Sequence, residues 1–370
     1  MIRYGIVALF ACISMQLAAQ EIKIGNYTFR GGGEYQGELF KGKPYGKGKT
    51  TFPNGDTYEG EYVKGKRQGY GVYTFFDGEK YEGEWFQDQQ HGRGIYYFMN
   101  NNKYDGLWFR DYQQGEGTMY YYNGDVYVGN WKEDKRQGYG EYVYANGASY
   151  KGEWESDQKS GKGVFDWHDG SVYDGMWKNN QRNGKGTFYY ADGDVYTGEW
   201  VDDIQHGKGI YKFHNGDVYE GDYVQGERTG EGIFTFANGN KYVGHFQGGE
   251  QNGEGKFTWH NGASYTGNWK ANKREGYGKY EWSNGDVYEG YWHNGQMNGE
   301  GILRLVDGSK FKGTFRNGEK NGRGIMVDSD GMRFEGEFQD NEKHGPFVLK
   351  DKNGNVVQRG KYNHGVIDNN

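Results

Sequence analysis

Residues 58–80 read YEGEYVKGKRQGYGVYTFFDGEK, and the rest of the chain repeats their plan with a period of 23 residues. The register opens at Tyr35 and returns at 58, 81, 104 and so on to 334, with no insertion or deletion. The first position is Tyr in twelve copies and Phe in two, Phe311 and Phe334. The third position is Gly in all fourteen copies, from Gly37 to Gly336, and so is the twelfth, from Gly46 to Gly345. A fixed period of this length marks a repeat architecture rather than a set of globular domains.

Within the copy, two short runs alternate with period two, which is the strand period. Tyr58, Gly60 and Tyr62 share one face while Glu59 and Glu61 share the other; Gly71, Tyr73 and Phe75 likewise share a face. Asp77-Gly78 closes the copy, and Asn-Gly or Asp-Gly stands there in most others, the strongest short-range hairpin signal. The remaining connection, Val63 to Gly69, reads as a longer loop of Gly and charged residues. No helical periodicity competes. The expectation is an all-β fold: an elongated, single-layer antiparallel β-sheet of tandem β-hairpins, a solenoid-like ribbon.

Composition supports that reading. The chain has 68 Gly, 3 Pro and a hydrophobic fraction of only 34 %, yet 18 % of its residues are aromatic. Disordered chains lack such rings. A glycine in a strand leaves a hole above the backbone that a neighbouring ring can cover. The fifth position supplies the expected ring, as Trp85, Trp108, Trp131, Trp154, Trp177, Trp200, Trp269 and Trp292. Tyr58, Gly60, Gly69 and Gly71 are structural positions of the same kind. Two strands per copy at the usual spacing give about 130 Å for fourteen copies.

Residues 1–19 read as a signal peptide: Arg3, an apolar stretch from Ile6 to Leu17, then Leu17-Ala18-Ala19 before Gln20. The implied destination is the periplasm, the outer surface or the medium. Cys12 is the only cysteine, and the apolar residues on both sides of it argue against lipid anchoring there. The organisation expected is signal peptide 1–19, a half-repeat cap over 20–34, fourteen repeats over 35–356, and a C-terminal strand with a polar tail over 357–370. Gly25, Tyr27, Phe29 and Gly32 carry the half-repeat; Gly360 and Tyr362 carry the last strand after one extra residue. The pattern decays near the end, with Asp328 and Asp351 in place of an aromatic and Phe347 in place of a glycine, as a capping end would.

Chemistry-bearing residues do not converge. Pairs such as Glu59/Glu61 and Glu82/Glu84 recur along the array with no unique neighbour, whereas a catalytic site is singular. His168, His214 and His260 share one repeat position, roughly 19 Å apart at normal strand spacing, far beyond zinc-ligand reach. His91, His206 and His344 share another. No cofactor and no metal site is expected. Net charge is −7, with 44 basic against 51 acidic residues, and −8 without Arg3, which excludes nucleic acid as the main partner. Basic clusters Lys64/Lys66/Arg67, Lys132/Lys135/Arg136 and Lys270/Lys273/Arg274 fall in the longer connection and are candidates for contact with an anionic lipid or glycan.

The pattern Tyr-x-Gly-x-Trp, then Gly-x-Gly, then Asn/Asp-Gly, at period 23 resembles the MORN repeat (membrane occupation and recognition nexus) over residues 35–356. The resemblance implies a single-layer sheet of hairpins and a role in scaffolding, protein contact or membrane attachment, as in junctophilins. Catalytic domains that accompany MORN arrays elsewhere, in plant lipid kinases and a histone methyltransferase, have no counterpart here. The expectation is a non-enzymatic envelope or exterior scaffold for protein partners, with a lipid- or glycan-associated surface module as the alternative. Unpaired strands at the sheet edges also allow a homodimer.

Overall fold

A computed structural model describes residues 21–368, so the signal-peptide reading and Cys12 lie outside the described residues. Thirty-one β-strands, from β1 (Lys23–Thr28) to β31 (Val366–Asp368), account for the described chain, which contains no helix. It divides into two compact units, one of residues up to 147 with 153–157 and one of 148–152 with residues from 158. In each, a strand pairs antiparallel with the strand before it and the strand after it in sequence.

The repeat at Tyr58 shows how the residues produce this. Strand β4 (Thr57–Val63) turns into β5 (Lys66–Thr74) through only two residues, Lys64 and Gly65, with φ of 54° and 81°. The long loop expected over Val63–Gly69 is therefore replaced by a tight hairpin. Two successive left-handed residues match the right-handed twist of the flanking strands. The second of them is Gly, Asp or Asn, as in Gly65, Asp88, Asn180 and Gly226, residue types that tolerate this conformation.

The pairing then slips. Gly60 faces Gly71, but Tyr62 faces Arg67, so Gln68, Gly69 and Tyr70 are absorbed against Glu61 in a bulge. Gly69 takes φ 68°, and the equivalent glycine is left-handed in all fourteen repeats. That accounts for the constancy of the twelfth position. On the other side, Gly78 N donates to Phe75 O and Phe75 N donates to Glu79 O, closing the Asp77-Gly78 turn before β6 (Lys80–Phe86).

The glycine gap is covered, but by a different ring from the one expected. A Cβ on Gly60 would lie 2.5 Å from Gly71 Cα, and one on Gly71 would be driven into the Tyr58 ring. The first-position tyrosine thus spans the gap. The hydroxyl at the far end of its ring donates to Glu61 O at 3.1 Å. The fifth-position ring does something else. Trp85 stands edge-to-face between Tyr58 and Tyr81, with centroids 5.3 and 5.2 Å away, and its Nε1 donates to Gly71 O at 3.2 Å. Tyr58 is 0 % and Trp85 4 % exposed in a sheet with no second layer. Each edge-to-face pair adds about 0.5–1.5 kcal/mol beyond burial.

The chain ends depart from this plan in readable ways. Gly25 of β1 faces Gly37 of β2 (Glu34–Phe40), so the first strand is the second half of a repeat. Phe347 faces Gly336 and stacks on Phe334 at 5.4 Å and 22°. Tyr362 then packs on Phe347 from β30 (Val356–Asn363), where the extra residue appears as an irregularity. Residues 366–368, read from sequence as polar tail, instead form β31 and pair with β30.

Candidate binding surfaces

Each strand has one face committed to rings and one face that is not. The ring face repeats one plan, a Tyr or Phe over the glycine gap with a second ring, most often Trp, edge-on beside it. The opposite face carries positions 2, 4, 13 and 15 of the repeat, and these change freely: Glu59, Glu61, Tyr70 and Val72 in one copy, but Glu289, Tyr291, Glu300 and Ile302 in another. Tyr70, Tyr139, Tyr277 and Tyr291 are exposed on it.

In the second unit this face forms an open groove of about 750 Å³ over residues 277–348. Tyr277 and Tyr291 meet edge-to-face at 5.5 Å, 49 % and 52 % exposed, with Ile302, Ile325 and Val348 along the floor. Polar walls flank them. Tyr277 Oη donates to Glu289 Oε1 at 3.2 Å, and Arg304 holds the other oxygen at 3.2 Å. Lys350 and Arg333 both bind Glu335, and the Lys350 hydrogen bond leads in holding its carboxyl below the usual range. A second groove of about 510 Å³ lies on the same face around Ile210, Ile233 and Val243.

The residues singled out from sequence are distributed between the two faces. All eight fifth-position tryptophans are buried in the ring face. The three arginines also turn inward. Arg67 lies on β5, its guanidinium 4.2 Å from the Trp85 ring centre and 5.0 Å from Tyr73. It donates to Asp88 O at 2.7 Å, while Asp88 Oδ1 accepts from Arg67 N at 2.8 Å. Arg136 repeats this over Trp154 with Asp157, and Arg274 lies over Trp292, donating to Gly295 O at 2.6 Å. As anion-contact residues the arginines are withdrawn, because the register slip after Gly60 puts them on the ring face. Lys64, Lys66, Lys132, Lys135, Lys270 and Lys273 remain exposed at the tight-turn edge, with Asp88 4.0 Å from Lys66.

A second seam joins the repeats at the other edge. Asp56 accepts from Tyr73 Oη at 2.6 Å and from Phe76 N at 2.9 Å. Burial pushes its carboxyl up, but those bonds and one from Asn54 outweigh it and leave it below the usual range. Asp125 and Asp194 hold Tyr142 and Tyr211 the same way. Histidines serve locally: His91 lies between Phe86 and Phe109, and His214 is 2.9 Å from Asp194. Among the described residues no three His, Cys, Asp or Glu side chains are placed to hold a metal ion. No described helix is long and apolar enough to cross a membrane.

The family profile of the MORN repeat matches fourteen consecutive stretches, from 35–57 to 334–356. The chain belongs to the MORN repeat family. The profile boundaries coincide with the tyrosine register, so each MORN repeat runs from one gap-covering ring to the next. No curated protein matches the sequence. Among solved structures, the TCP10 domain of Danio rerio CPAP is similar at 15 % identity and TM-score 0.31, over 60 % of this chain and 98 % of that one. The TCP domain of Drosophila melanogaster SAS-4, solved with a proline-rich motif of Ana2, matches at 16 % and 0.28 over 42 % and 85 %. A streptogramin B lyase matches at 12 % and 0.13 over 85 % and 94 %. At such TM-scores these likenesses carry nothing over to the MORN array.

Proposed function

We propose that this MORN protein is a non-enzymatic, exported scaffold that holds protein partners on the face of its sheet opposite the rings. One observation carries the reading: a ring face that keeps one plan, an aromatic ring over a glycine gap, coexists with an outer surface that differs from repeat to repeat. The fold uses the first and leaves the second free. Exposed tyrosines on a rigid β surface, with paired charges around an open groove, are the composition of protein contact surfaces. Extended faces of repeat arrays commonly serve this way. Export rests on Arg3, the apolar run to Leu17 and Leu17-Ala18-Ala19. The test is affinity capture from the envelope fraction with the chain from Gln20, alongside a Tyr70→Ser, Tyr139→Ser, Tyr277→Ser, Tyr291→Ser variant. Equal recovery of the same proteins by both baits would sink the proposal.

A second reading has its own observation. Val63, Phe86, Phe109 and Tyr112 are exposed along the tight-turn edge of the first unit, beside Lys64, Lys66 and Arg110. Apolar tips among cations suit an anionic lipid surface. Asp88 and Asp111 interrupt that edge, so protein binding stands first. Flotation with anionic liposomes that survives Phe86→Ser with Phe109→Ser removes the lipid reading.

A further inference from the structure

The tenth position of the repeat holds the cation that lies over the next repeat's ring: Arg67 over Trp85, Arg136 over Trp154, Arg182 over Trp200. In each case the turn aspartate beyond it completes the site. Asp88, Asp157 and Asp203 each accept a guanidinium hydrogen bond at the main-chain oxygen, at 2.7, 2.9 and 2.8 Å, with the carboxylate alongside. The protein has thus built a guanidinium site from an indole face, a tyrosine or phenylalanine, a carbonyl and a carboxylate, and filled it from its own chain.

Two consecutive repeats lack the filler. The tenth position is Gln90 in one and Gln113 in the next, on the same strand position and facing Trp85 and Trp108 across the hairpin as Arg67 faces Tyr62. The rest of the site persists. Trp108 and Trp131 keep their places, donating to Gly94 O and Gly117 O, and Asp111 and Asp134 occupy the turn. Their Oδ1 atoms accept from Gln90 N and Gln113 N at 2.8 Å, and among the described residues neither carboxylate has a cationic partner. Where the arginines are missing, a groove of about 640 Å³ opens on the ring face, wholly within the first unit. Tyr96, Phe98 and Tyr121 continue its aromatic lining. Gln90 and Gln113 line it too, only 7 % and 5 % exposed.

We propose that this groove binds two arginine side chains of a partner peptide, in the two places that Arg67, Arg136 and Arg182 fill internally elsewhere. The match is one of charge as well as shape: an aromatic floor attracts a cation, and two unpaired carboxylates at the rim prefer one to a neutral group. Planar guanidinium suits stacking and forked hydrogen bonding better than ammonium. Repeats are two strands apart, so the subsites stand about 10 Å from one another. Three residues of polyproline II chain span about 9 Å and return to the same side, which favours arginines three apart on an extended peptide. A contrasting groove of about 500 Å³ at Gln251 carries Asn272 in place of the aspartate, with Lys273 and Arg274 beside it. It lacks the charge for a cation.

This surface is on the other face from the one proposed for scaffolding, so either proposal can fail while the other stands. The experiment is calorimetric titration of the full chain with Gly-Arg-Pro-Pro-Arg-Pro-Gly and with the same peptide carrying citrulline, the neutral isostere, at both arginines. The arginine peptide is expected to bind at least about tenfold tighter, on the scale of a desolvated cation over a ring. The Gln90→Arg, Gln113→Arg variant installs the filler found in other repeats; it should melt no lower than wild type and lose about tenfold in affinity. Asp111→Asn with Asp134→Asn should weaken binding several-fold while leaving the melt unchanged. Absence of binding to wild type, equal binding of the citrulline peptide, or undiminished binding by the double arginine variant overturns the proposal. So does free arginine binding as tightly as the peptide, which would make the occupant a small molecule.

Discussion

The two faces of β4 through β6 are made by alternate residues of the same strands, yet only one of them is repeated. Tyr58, Gly60, Gly71 and Trp85 recur in kind at nearly every step, Leu39 and Phe347 being exceptions at the two ends, while Glu59, Glu61, Tyr70 and Val72 recur in place alone. In a single-layer sheet there is no second layer to share the burden of burial. The ring face must therefore supply all of it, and any binding surface that varies between repeats has to lie where the fold makes no demand. Where the ring face varies at Gln90 and Gln113, the variation opens a cavity without interrupting the strand pairing.

The largest effect expected from this division is alkaline unfolding. Burial pushes the Tyr62 phenol up to about 12, and Tyr35, Tyr173 and Tyr219 likewise to about 12, burial being the leading cause for each. Tyr58 and Tyr81 are raised further for the same reason. An unfolded chain releases these protons near pH 10. Above that the unfolded state binds fewer protons than the folded one, so stability, fully present below pH 10, falls as pH rises through the folded values. Far-ultraviolet circular dichroism should be flat from pH 7 to about 9.5 and collapse cooperatively between about 10.5 and 12. A β signal unchanged at pH 12.5 would contradict the claim that phenols seal the sheet.

Next in size is Trp85→Ala, which removes the ring between Tyr58 and Tyr81 and should cost about 3–5 kcal/mol. Because repeats contact only their neighbours, the loss should be local. Hydrogen exchange should quicken in residues 58–103 and stay near wild type beyond residue 250. Gly71→Ala adds a single methyl against the Tyr58 ring. It should cost about 1–3 kcal/mol by overpacking, read as a lowered urea midpoint. Gly78→Ala makes the contrast: a Cβ there meets nothing within 4 Å, but φ is 98°, so only backbone strain remains. About 1 kcal/mol is expected.

Most of this architecture was legible in the sequence, because period, strand alternation and the Asp-Gly turn are one-dimensional signals. Three things were not. The Lys64-Gly65 turn hides because its first residue varies widely, from Lys64 and Arg110 to Glu133, Ser156 and Ala271, and only the second keeps to Gly, Asp or Asn. Which ring covers the glycine gap depends on the register slip at Gly60, and Tyr58 and Tyr62 are equivalent by alternation alone. The same slip decides the fate of Arg67, Arg136 and Arg274, which count as surface charge in sequence and as ring covers in the structure. The Gln90 and Gln113 break was visible as a change at the tenth position. It acquires meaning only once Arg67 is seen to occupy a site.

The smallest effect is the most discriminating. Tyr277 and Tyr291 touch edge-to-face and would, if buried, be worth as much to the fold as Tyr58 and Trp85. Both are about half exposed, at 49 % and 52 %, so water already wets the rings and truncation opens no cavity. Tyr291→Ser should therefore change stability by no more than about 0.5 kcal/mol, and Tyr277→Ser by little more, since its hydroxyl only shares Glu289 with Arg304. Thermal melts within a degree or two of wild type are the expected result. A large drop would mean that the outer face also holds the sheet together, and a surface needed for folding is not free to vary with its partners.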